Sequence, residues 1–451
     1  MEISACLLFF FGGVALTVCI GYRSIVKREG MDMNIWHITG GERLKGELRV
    51  QGAKNAVLPI MAASVVVGAE TELDGVPDLR DVDATLRILR HLRCTAKRDG
   101  PRVYIDSRGM HRCDVPHTLM RELRSSVIFL GAILARCGEA RLSLPGGCEL
   151  GPRPVDLHLE ALRTLGAHIT ERGGDLVCRA VGLRGAQIVL SFPSVGATEN
   201  AMLCALVAEG ETVIHNAARE PEIHDLQAYL RALGAQVRGA GTSTVTVSGM
   251  RPNAHVHHTI LPDRIAASTL LCACAASGGE ILLKNVRPAH FLTVLDSLSE
   301  AGCDIITKSN TVRMRAPEAL IAPRPIVTRP YPGFPTDAQP PLMAACLKAR
   351  GTTVFTENIF AGRYRHVEEL RRLGADVTIS GRVAYISGVD ALNGAVLTAG
   401  DLRGGAAMVV AALAAEGTSV IYDEGFIERG YDHLDLALSS LGASVRCEHR
   451  A

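Results

Sequence analysis

Leu230-Arg-Ala-Leu-Gly-Ala235 decides the fold, because the chain writes this motif six times. Close copies stand at Leu162-Arg-Thr-Leu-Gly-Ala167, Leu370-Arg-Arg-Leu-Gly-Ala375 and Leu438-Ser-Ser-Leu-Gly-Ala443, and degenerate ones begin at Leu89 and Leu298. Successive copies start 68 to 73 residues apart. Leucines three apart share one face of a helix, and a glycine after the last turn ends it by turning left-handed. A short alternating run follows, such as Thr244-Val-Thr-Val-Ser248 or Val383-Ala-Tyr-Ile386, which reads as a strand.

Each copy also carries an apolar run that leads through a glycine turn into a strand. Residues 197–210 precede Glu211-Thr-Val-Ile-His215, 264–279 precede Glu280-Ile-Leu-Leu283, and 402–417 precede Thr418-Ser-Val-Ile-Tyr422. Runs that are apolar nearly all round predict buried helices. The unit is thus buried helix, strand, surface helix, strand. Its period exceeds that of common solenoids, which favours closed domains. Three units per lobe predict an α/β protein of two similar lobes, helices inside and sheets outside. The polar stretch 251–261, with His255, His257 and His258, reads as a solvated linker at the lobe edge. The expected division is 54–261 for one domain, 33–53 with 262–451 for the other, and 1–32 as an apolar extension.

A chain of 451 residues is long enough for two or three domains. A formal charge of +1 excludes a global basic field for nucleic acid, so any anion site is local. The 13 cysteines are scattered with no paired CxxC cluster, which describes reduced thiols and neither a disulfide frame nor a zinc site. Residues 3–22 carry no charge and are followed by Arg23, Lys27 and Arg28. That stretch is long enough to span a bilayer with its basic flank in the cytoplasm. Alternatively, translation starts at Met31 or Met33. Both readings leave the body in the cytoplasm, with membrane contact only through the apolar segment.

Several polar residues stand at the entrances of the apolar helices. Gly52-Ala-Lys54-Asn55 precedes the first and offers a cation beside free backbone N–H groups, an anion cradle; its bland reading is a capping Asn beside a surface Lys. Arg124, Arg264 and Arg403 head others, and Arg429 follows a strand in Glu428-Arg-Gly-Tyr431. Cations at helix N-termini oppose the dipole unless an anion sits there. Neighbouring acids account for Arg264 and to a degree Arg403. Guanidinium forks suit phosphate and carboxylate, so the set points to a small polyanionic substrate. Phe334-Pro-Thr-Asp337 puts one carboxylate at the head of the fifth buried helix, either as a cap or as a general base.

The segment Ser143-Leu-Pro-Gly-Gly-Cys148-Glu-Leu-Gly-Pro-Arg153-Pro-Val-Asp156-Leu-His158 cannot be regular structure, since glycine and proline break it throughout. It sets a thiol on a Gly-rich loop near Arg153, whose charge favours thiolate.

Taken together, Gly52-Ala-Lys-Asn-Ala56, Arg124-Ser-Ser126, the Cys148 loop, Ser194-Val-Gly-Ala-Thr-Glu-Asn200, Asn216-Ala-Ala-Arg-Glu-Pro-Glu222, Leu261-Pro-Asp-Arg264, Phe334-Pro-Thr-Asp337, Asp401-Leu-Arg403 and Arg429-Gly-Tyr431 resemble the UDP-N-acetylglucosamine enolpyruvyl transferase family. The resemblance runs from about Met33 to the end. It implies two inside-out α/β barrel domains closing over a cleft. The implied reaction moves enolpyruvate from phosphoenolpyruvate to the 3′-hydroxyl of UDP-N-acetylglucosamine, through a tetrahedral ketal that expels phosphate. Both partners are small molecules, and no metal or organic cofactor is called for.

By the same resemblance, Cys148 protonates C3 and can be captured as a phosphoenolpyruvate adduct or by the epoxide fosfomycin. Asp337 takes the proton of the sugar hydroxyl. Lys54, Arg153 and Arg429 grip the phosphate, with Arg403 and Asn55 nearby. Arg124, Arg153, Pro154, Val155, Asp156, Leu157, Ser194, Val195, Gly196 and Ile359 line the nucleotide-sugar site.

The chain departs from the family at Ala361-Gly362, where a polar Glu-Asn pair is common, at Phe192 in place of a lysine, and at Ile128 and Ala132 in place of a Trp and a Pro. None removes an expected catalytic residue. The rival readings are the sister transferase acting on shikimate 3-phosphate, whose first loop usually reads Gly-Ser-Lys-Ser and which lacks the thiol loop, and a silent paralogue that only binds the nucleotide sugar.

Overall fold

Gln187–Val189, Val195–Ala205, Thr212–His215, Pro221–Ala232, Ala235–Arg238 and Thr244–Met250 form one complete unit of the chain, in the order strand, helix, strand, helix, strand, strand. The first two strands run parallel, Gln187 opposite Val213, on either side of the buried helix Val195–Ala205. The last two form an antiparallel hairpin that pairs with Thr212–His215. Compared with the sequence reading, each unit gains a leading edge strand and a second hairpin strand. Both additions are too short for their alternation to stand out. The computed structural model describes residues 7–11, 14–18, 33–123, 126–143 and 155–450.

Six four-stranded sheets of this design are present, each with one parallel and two antiparallel pairings. Among the described residues the sheets are separate, so the expected barrel is not seen as a closed hydrogen-bonded surface; strands bond only within their own sheet. The six buried helices are Lys54–Ala63, Phe129–Cys137, Val195–Ala205, Arg264–Ser277, Gln339–Ala345 and Leu402–Leu413. Small residues dominate them, and Ala56, Ala132, Ala201, Ala267, Ala344 and Ala407 are all buried, which lets helices approach closely.

Two hydrophobic cores result. One is drawn from residues 53–261, the other from 36–50 together with 266–443. Strand Met33–Thr39 lies inside the last sheet, and strand Leu44–Arg49 pairs in parallel with Gly279–Lys284. From Trp36 the chain runs in the second core and crosses to the first at Gly52. It returns at Pro262. The two crossings bond to each other, Ala53 N to Leu261 O at 2.8 Å and Asp263 N to Gln51 O at 2.9 Å.

The His-rich stretch is not a linker. His255–Thr259 is the parallel edge strand beside Glu70–Asp74. His257 pairs with Asp74 at 2.7 Å and His258 with Asp225 at 3.2 Å. Alternation in His255-Val256-His257 is the strand signal that the polar composition hid. At the other end, residues 7–11 and 14–18 pair as antiparallel strands, Leu7 opposite Val18. Among the described residues no helix is long and apolar enough to cross a membrane.

The motif glycines do what the sequence predicted of them. Gly234 ends its helix at φ +103°, and a Cβ there would sit 1.8 Å from Arg251 O. Gly166, Gly302, Gly374 and Gly442 share the left-handed conformation. In the first copy the same place is held by Arg93, at φ 74°.

Candidate active site

Lys54 opens its helix at the crossing between the cores, and its Nζ lies 2.6 Å from Asp81 Oδ2. Asp81 belongs to the first core, in the opening turn of helix Arg80–His91, and is 1% exposed. Its other partner comes from the second core: Arg429 donates from Nε to Oδ1 at 2.8 Å and from Nη2 to Oδ2 at 3.3 Å. One buried carboxylate thus holds two cations side by side. Burial alone would raise the Asp81 carboxyl, yet Lys54 and Arg429 bring it below its ordinary value. Burial lowers the Lys54 ammonium, and Arg429 adds to that, while Asp81 opposes both.

Asp337 sits on the short turn Thr336–Ala338 before helix Gln339–Ala345 and makes no capping bond. Its carboxylate accepts from Arg403 Nη2 at 3.2 Å and pairs with Arg363 through Oδ1. The side chain stays 28% exposed. Burial works to raise its pKa; Arg403, Arg363 and Lys54 outweigh this and hold the carboxyl well below the usual range. Arg363 also donates from Nε and Nη2 to Thr336 O, at 3.0 and 2.8 Å.

Arg403 is 3% exposed, at the second position of helix Leu402–Leu413, behind the Asp401 cap. Its guanidinium lies 5.3 Å from the Tyr431 ring centre, a cation–π contact. Its Nε and Nη1 are buried without a partner. Buried donors of this kind are costly unless an acceptor arrives, so they mark where an anion belongs. Arg264 is paired with an acid, but not the neighbouring one: Glu222 of the first core takes it at 3.0 and 3.4 Å, while Asp263 caps the helix. The Lys54 helix is capped from outside its own sequence, as Lys54 N donates to Asp263 Oδ2 at 3.2 Å. Asn55 stands half-buried beside it.

The expected nucleotide-sugar residues gather on the first core. Ser194 caps helix Val195–Ala205 by accepting from Ala197 N at 3.3 Å, with Val195 and Gly196 following. Asp156 and Leu157 open helix Asp156–Thr164, preceded by Val155. His158 links the two: Asn200 Nδ2 donates to its Nδ1 at 2.7 Å, and a Cβ on Gly196 would stand 2.8 Å from its Cε1. Ile359 is fixed from the second core, since Glu357 accepts from Ile359 N, Phe360 N and Thr336 Oγ1 at 2.8, 2.9 and 3.0 Å. One carboxylate thereby sets both the Ile359 loop and the Asp337 turn. Phe192 is exposed, while Ile128 and Ala132 are buried in the first core. Cys148, Arg124, Arg153 and Pro154 lie outside the described residues.

Lys54, Asp337, Arg403 and Arg429 are therefore brought into one charged neighbourhood at the junction of the cores. Asp81 and Arg363, absent from the sequence-based set, complete it. Four cations, Lys54, Arg363, Arg403 and Arg429, face three carboxylates, Asp81, Asp263 and Asp337, among the described residues, an excess of positive charge suited to an anion. Among the described residues no group of three His, Cys, Asp or Glu side chains could hold a metal ion.

The profile of the family described as EPSP synthase (3-phosphoshikimate 1-carboxyvinyltransferase) matches residues 38–436. The chain belongs to this family of carboxyvinyl transferases. Within it, the chain is 45% identical over 413 residues to a protein of Caldanaerobacter subterraneus subsp. tengcongensis named UDP-N-acetylglucosamine 1-carboxyvinyltransferase 2, covering 92% of this chain and 99% of that one. A UDP-N-acetylglucosamine 1-carboxyvinyltransferase 1 of Carboxydothermus hydrogenoformans is 44% identical over 414 residues, with 92% and 98% covered. Among solved structures, the enolpyruvyl transferase NikO from Streptomyces tendae superposes with a TM-score of 0.83 at 25% identity, covering 93% of this chain and all of the other. The EPSP synthase of Acinetobacter baumannii shares the fold at a TM-score of 0.70 and 19% identity.

Proposed function

We propose that the chain transfers enolpyruvate from phosphoenolpyruvate to the 3′-hydroxyl of UDP-N-acetylglucosamine and releases phosphate, the first committed step of peptidoglycan synthesis. The observation that carries this reading is the meeting, between two cores, of Lys54 and Arg429 on Asp81 with Arg403 on Asp337. Relatives at 42–45% identity bear the UDP-N-acetylglucosamine name, which favours that acceptor over shikimate 3-phosphate.

The chemistry follows from charge. Phosphoenolpyruvate brings a phosphate and a carboxylate, and Lys54 and Arg429 offer the phosphate a fixed pair of donors. The unpartnered N–H groups of Arg403 offer acceptor sites for the same anion. The sugar oxygen attacks C2 as Asp337 receives its proton, and Cys148 delivers a proton to C3. A tetrahedral ketal results. In the second half C3 gives up a proton, the C2–O bond to phosphate breaks and the double bond returns. Each positioned proton transfer contributes roughly 10²–10⁴-fold. Arg124, Arg153, Pro154, Val155, Asp156, Leu157, Ser194, Val195, Gly196 and Ile359 hold the nucleotide sugar, and Asn55 joins Arg153 beside the phosphoenolpyruvate.

The two cores correspond to two domains, 54–261 and 33–53 with 262–451, which close on the substrates. The paired crossings at Ala53 and Leu261 form the pivot. The reaction belongs to the cytoplasm, where both substrates are made. The test is phosphate release from phosphoenolpyruvate with either acceptor. Release with UDP-N-acetylglucosamine alone supports the reading, and release with shikimate 3-phosphate alone overturns it.

A further inference from the structure

Strand Thr418–Asp423 ends in a carboxylate that is fully buried. Asp423 Oδ1 accepts from Phe426 N at 2.8 Å and Oδ2 from Ile427 N at 3.2 Å. These bonds close the loop that leads into the turn Ile427–Arg429. Arg429 N in turn donates to Phe426 O at 3.2 Å. The peptide that Asp423 holds is therefore the one from which Arg429 hangs.

The same loop is held from the first core. Arg80 Nη1 donates to Glu424 O at 3.2 Å. Gly425, at φ +79°, lies directly beneath that guanidinium, and a Cβ there would fall 1.5 Å from Arg80 Nη1. The next residue, Asp81, takes the Arg429 side chain. Two adjacent residues of one core thus grip both ends of a six-residue loop in the other, while Asp423 shapes it from within.

We propose that Asp423 is a positioning residue for Arg429, and that Arg80 seats the Asp423 turn against the first core so that phosphoenolpyruvate meets a preset guanidinium. This rests on the reading under Proposed function. Asp423 gives each of the two backbone N–H groups its own oxygen. An Asn at 423 offers one oxygen and points a donor at the other N–H.

The experiment compares wild type, Asp423→Asn and Arg80→Gln in steady-state kinetics and in calorimetric titration with phosphoenolpyruvate. Positioning predicts that KM and Kd for phosphoenolpyruvate rise about tenfold in Asp423→Asn, the size of one lost charge-assisted bond. KM for UDP-N-acetylglucosamine stays within about twofold. Arg80→Gln, on an exposed side chain, shifts the same constants in the same direction by less, and carries the test if Asp423→Asn does not fold. Equal changes in both substrates' KM, or an unchanged phosphoenolpyruvate Kd, overturn the inference. A wild type that releases no phosphate with either acceptor overturns the activity reading instead, and the phosphoenolpyruvate titration still judges Asp423.

Discussion

Arg403 Nη2 donates to Asp337 Oδ2 at 3.2 Å, while Arg363 holds the opposite oxygen. A carboxylate so placed is ionised at neutral pH but is a reluctant proton acceptor, because two guanidinium groups hold its pKa down. On the proposed reading, an arriving phosphoenolpyruvate anion cancels part of that field and frees Asp337 to take the sugar proton. Asp337→Asn keeps the size and one acceptor and removes the basicity. We expect kcat to fall by roughly 10²–10⁴-fold with the affinity for UDP-N-acetylglucosamine nearly unchanged. A kcat within tenfold of wild type rules out Asp337 as the base. The sign for stability is also fixed. A depressed folded-state pKa contributes stability that is complete above the unfolded value near 3.9 and lost as pH falls below it. Asp337 therefore adds no stability change between pH 5 and 8.

Asp81 is the hinge of the charge arrangement, since Lys54 and Arg429 share it. Asp81→Asn leaves two buried cations facing each other without a counter-charge. Breaking a buried pair in this way costs about 3–5 kcal/mol. The lost anion can be replaced by a ligand. The variant's thermal midpoint should drop, and phosphoenolpyruvate should raise it by a larger increment than in wild type. Equal increments in scanning fluorimetry would show that the substrate does not enter this pair.

How much of this was visible in the sequence depends on periodicity. The six motifs such as Leu370-Arg-Arg-Leu-Gly-Ala375 repeat at near-regular spacing, so the units and the buried helices were legible. Edge strands such as Gln187–Val189 were not, because three residues give no alternation to detect. The site was half legible. Lys54 and Arg403 stand at helix entrances where a cation opposes local preference, Arg429 follows a strand, and Asp337 stands before a helix where an acid is locally favoured. Asp81 hides in an ordinary acidic first turn, Asp81-Val-Asp83, where an acid is expected on helix-dipole grounds alone. Arg363 lies in a run of basic residues with Arg365 and His366, and only its burial singles it out. The pairings Asp81–Arg429 and Glu222–Arg264 join residues hundreds or dozens of positions apart, which no spacing rule reaches.

Arg93 offers a stability test outside the site. It stands where five of the six motifs place glycine, exposed and at φ 74°. A left-handed conformation costs a residue with a side chain roughly 1–2 kcal/mol, and glycine's extra unfolded-state freedom offsets about 0.5–1 of that. Arg93→Gly should therefore stabilise the protein by about 0.5–1 kcal/mol, read as a higher urea midpoint at constant slope. A lower midpoint would mean that the arginine makes a compensating contact. Catalysis should be unchanged, since Arg93 stands at the end of a surface helix with no part in the charged neighbourhood.

The thiols allow the most selective test. All ten described cysteines are free, and burial raises every one of them. Cys94, Cys204, Cys274, Cys303, Cys346 and Cys447 are pushed up to about 12, and Cys178 to about 11. At neutral pH a thiol at 12 is thiolate in roughly one molecule in 10⁵, too few to react at a useful rate. The Gly-rich sequence around Cys148, with Arg153 five positions on, is expected to favour thiolate, so the epoxide fosfomycin should form a single adduct on Cys148. Cys148→Asp should retain a carboxyl proton donor and escape alkylation. Peptide mass spectrometry after brief exposure reads both outcomes. An adduct on any of the ten described thiols, including the exposed Cys137, would remove Cys148 from its proposed place as the proton donor.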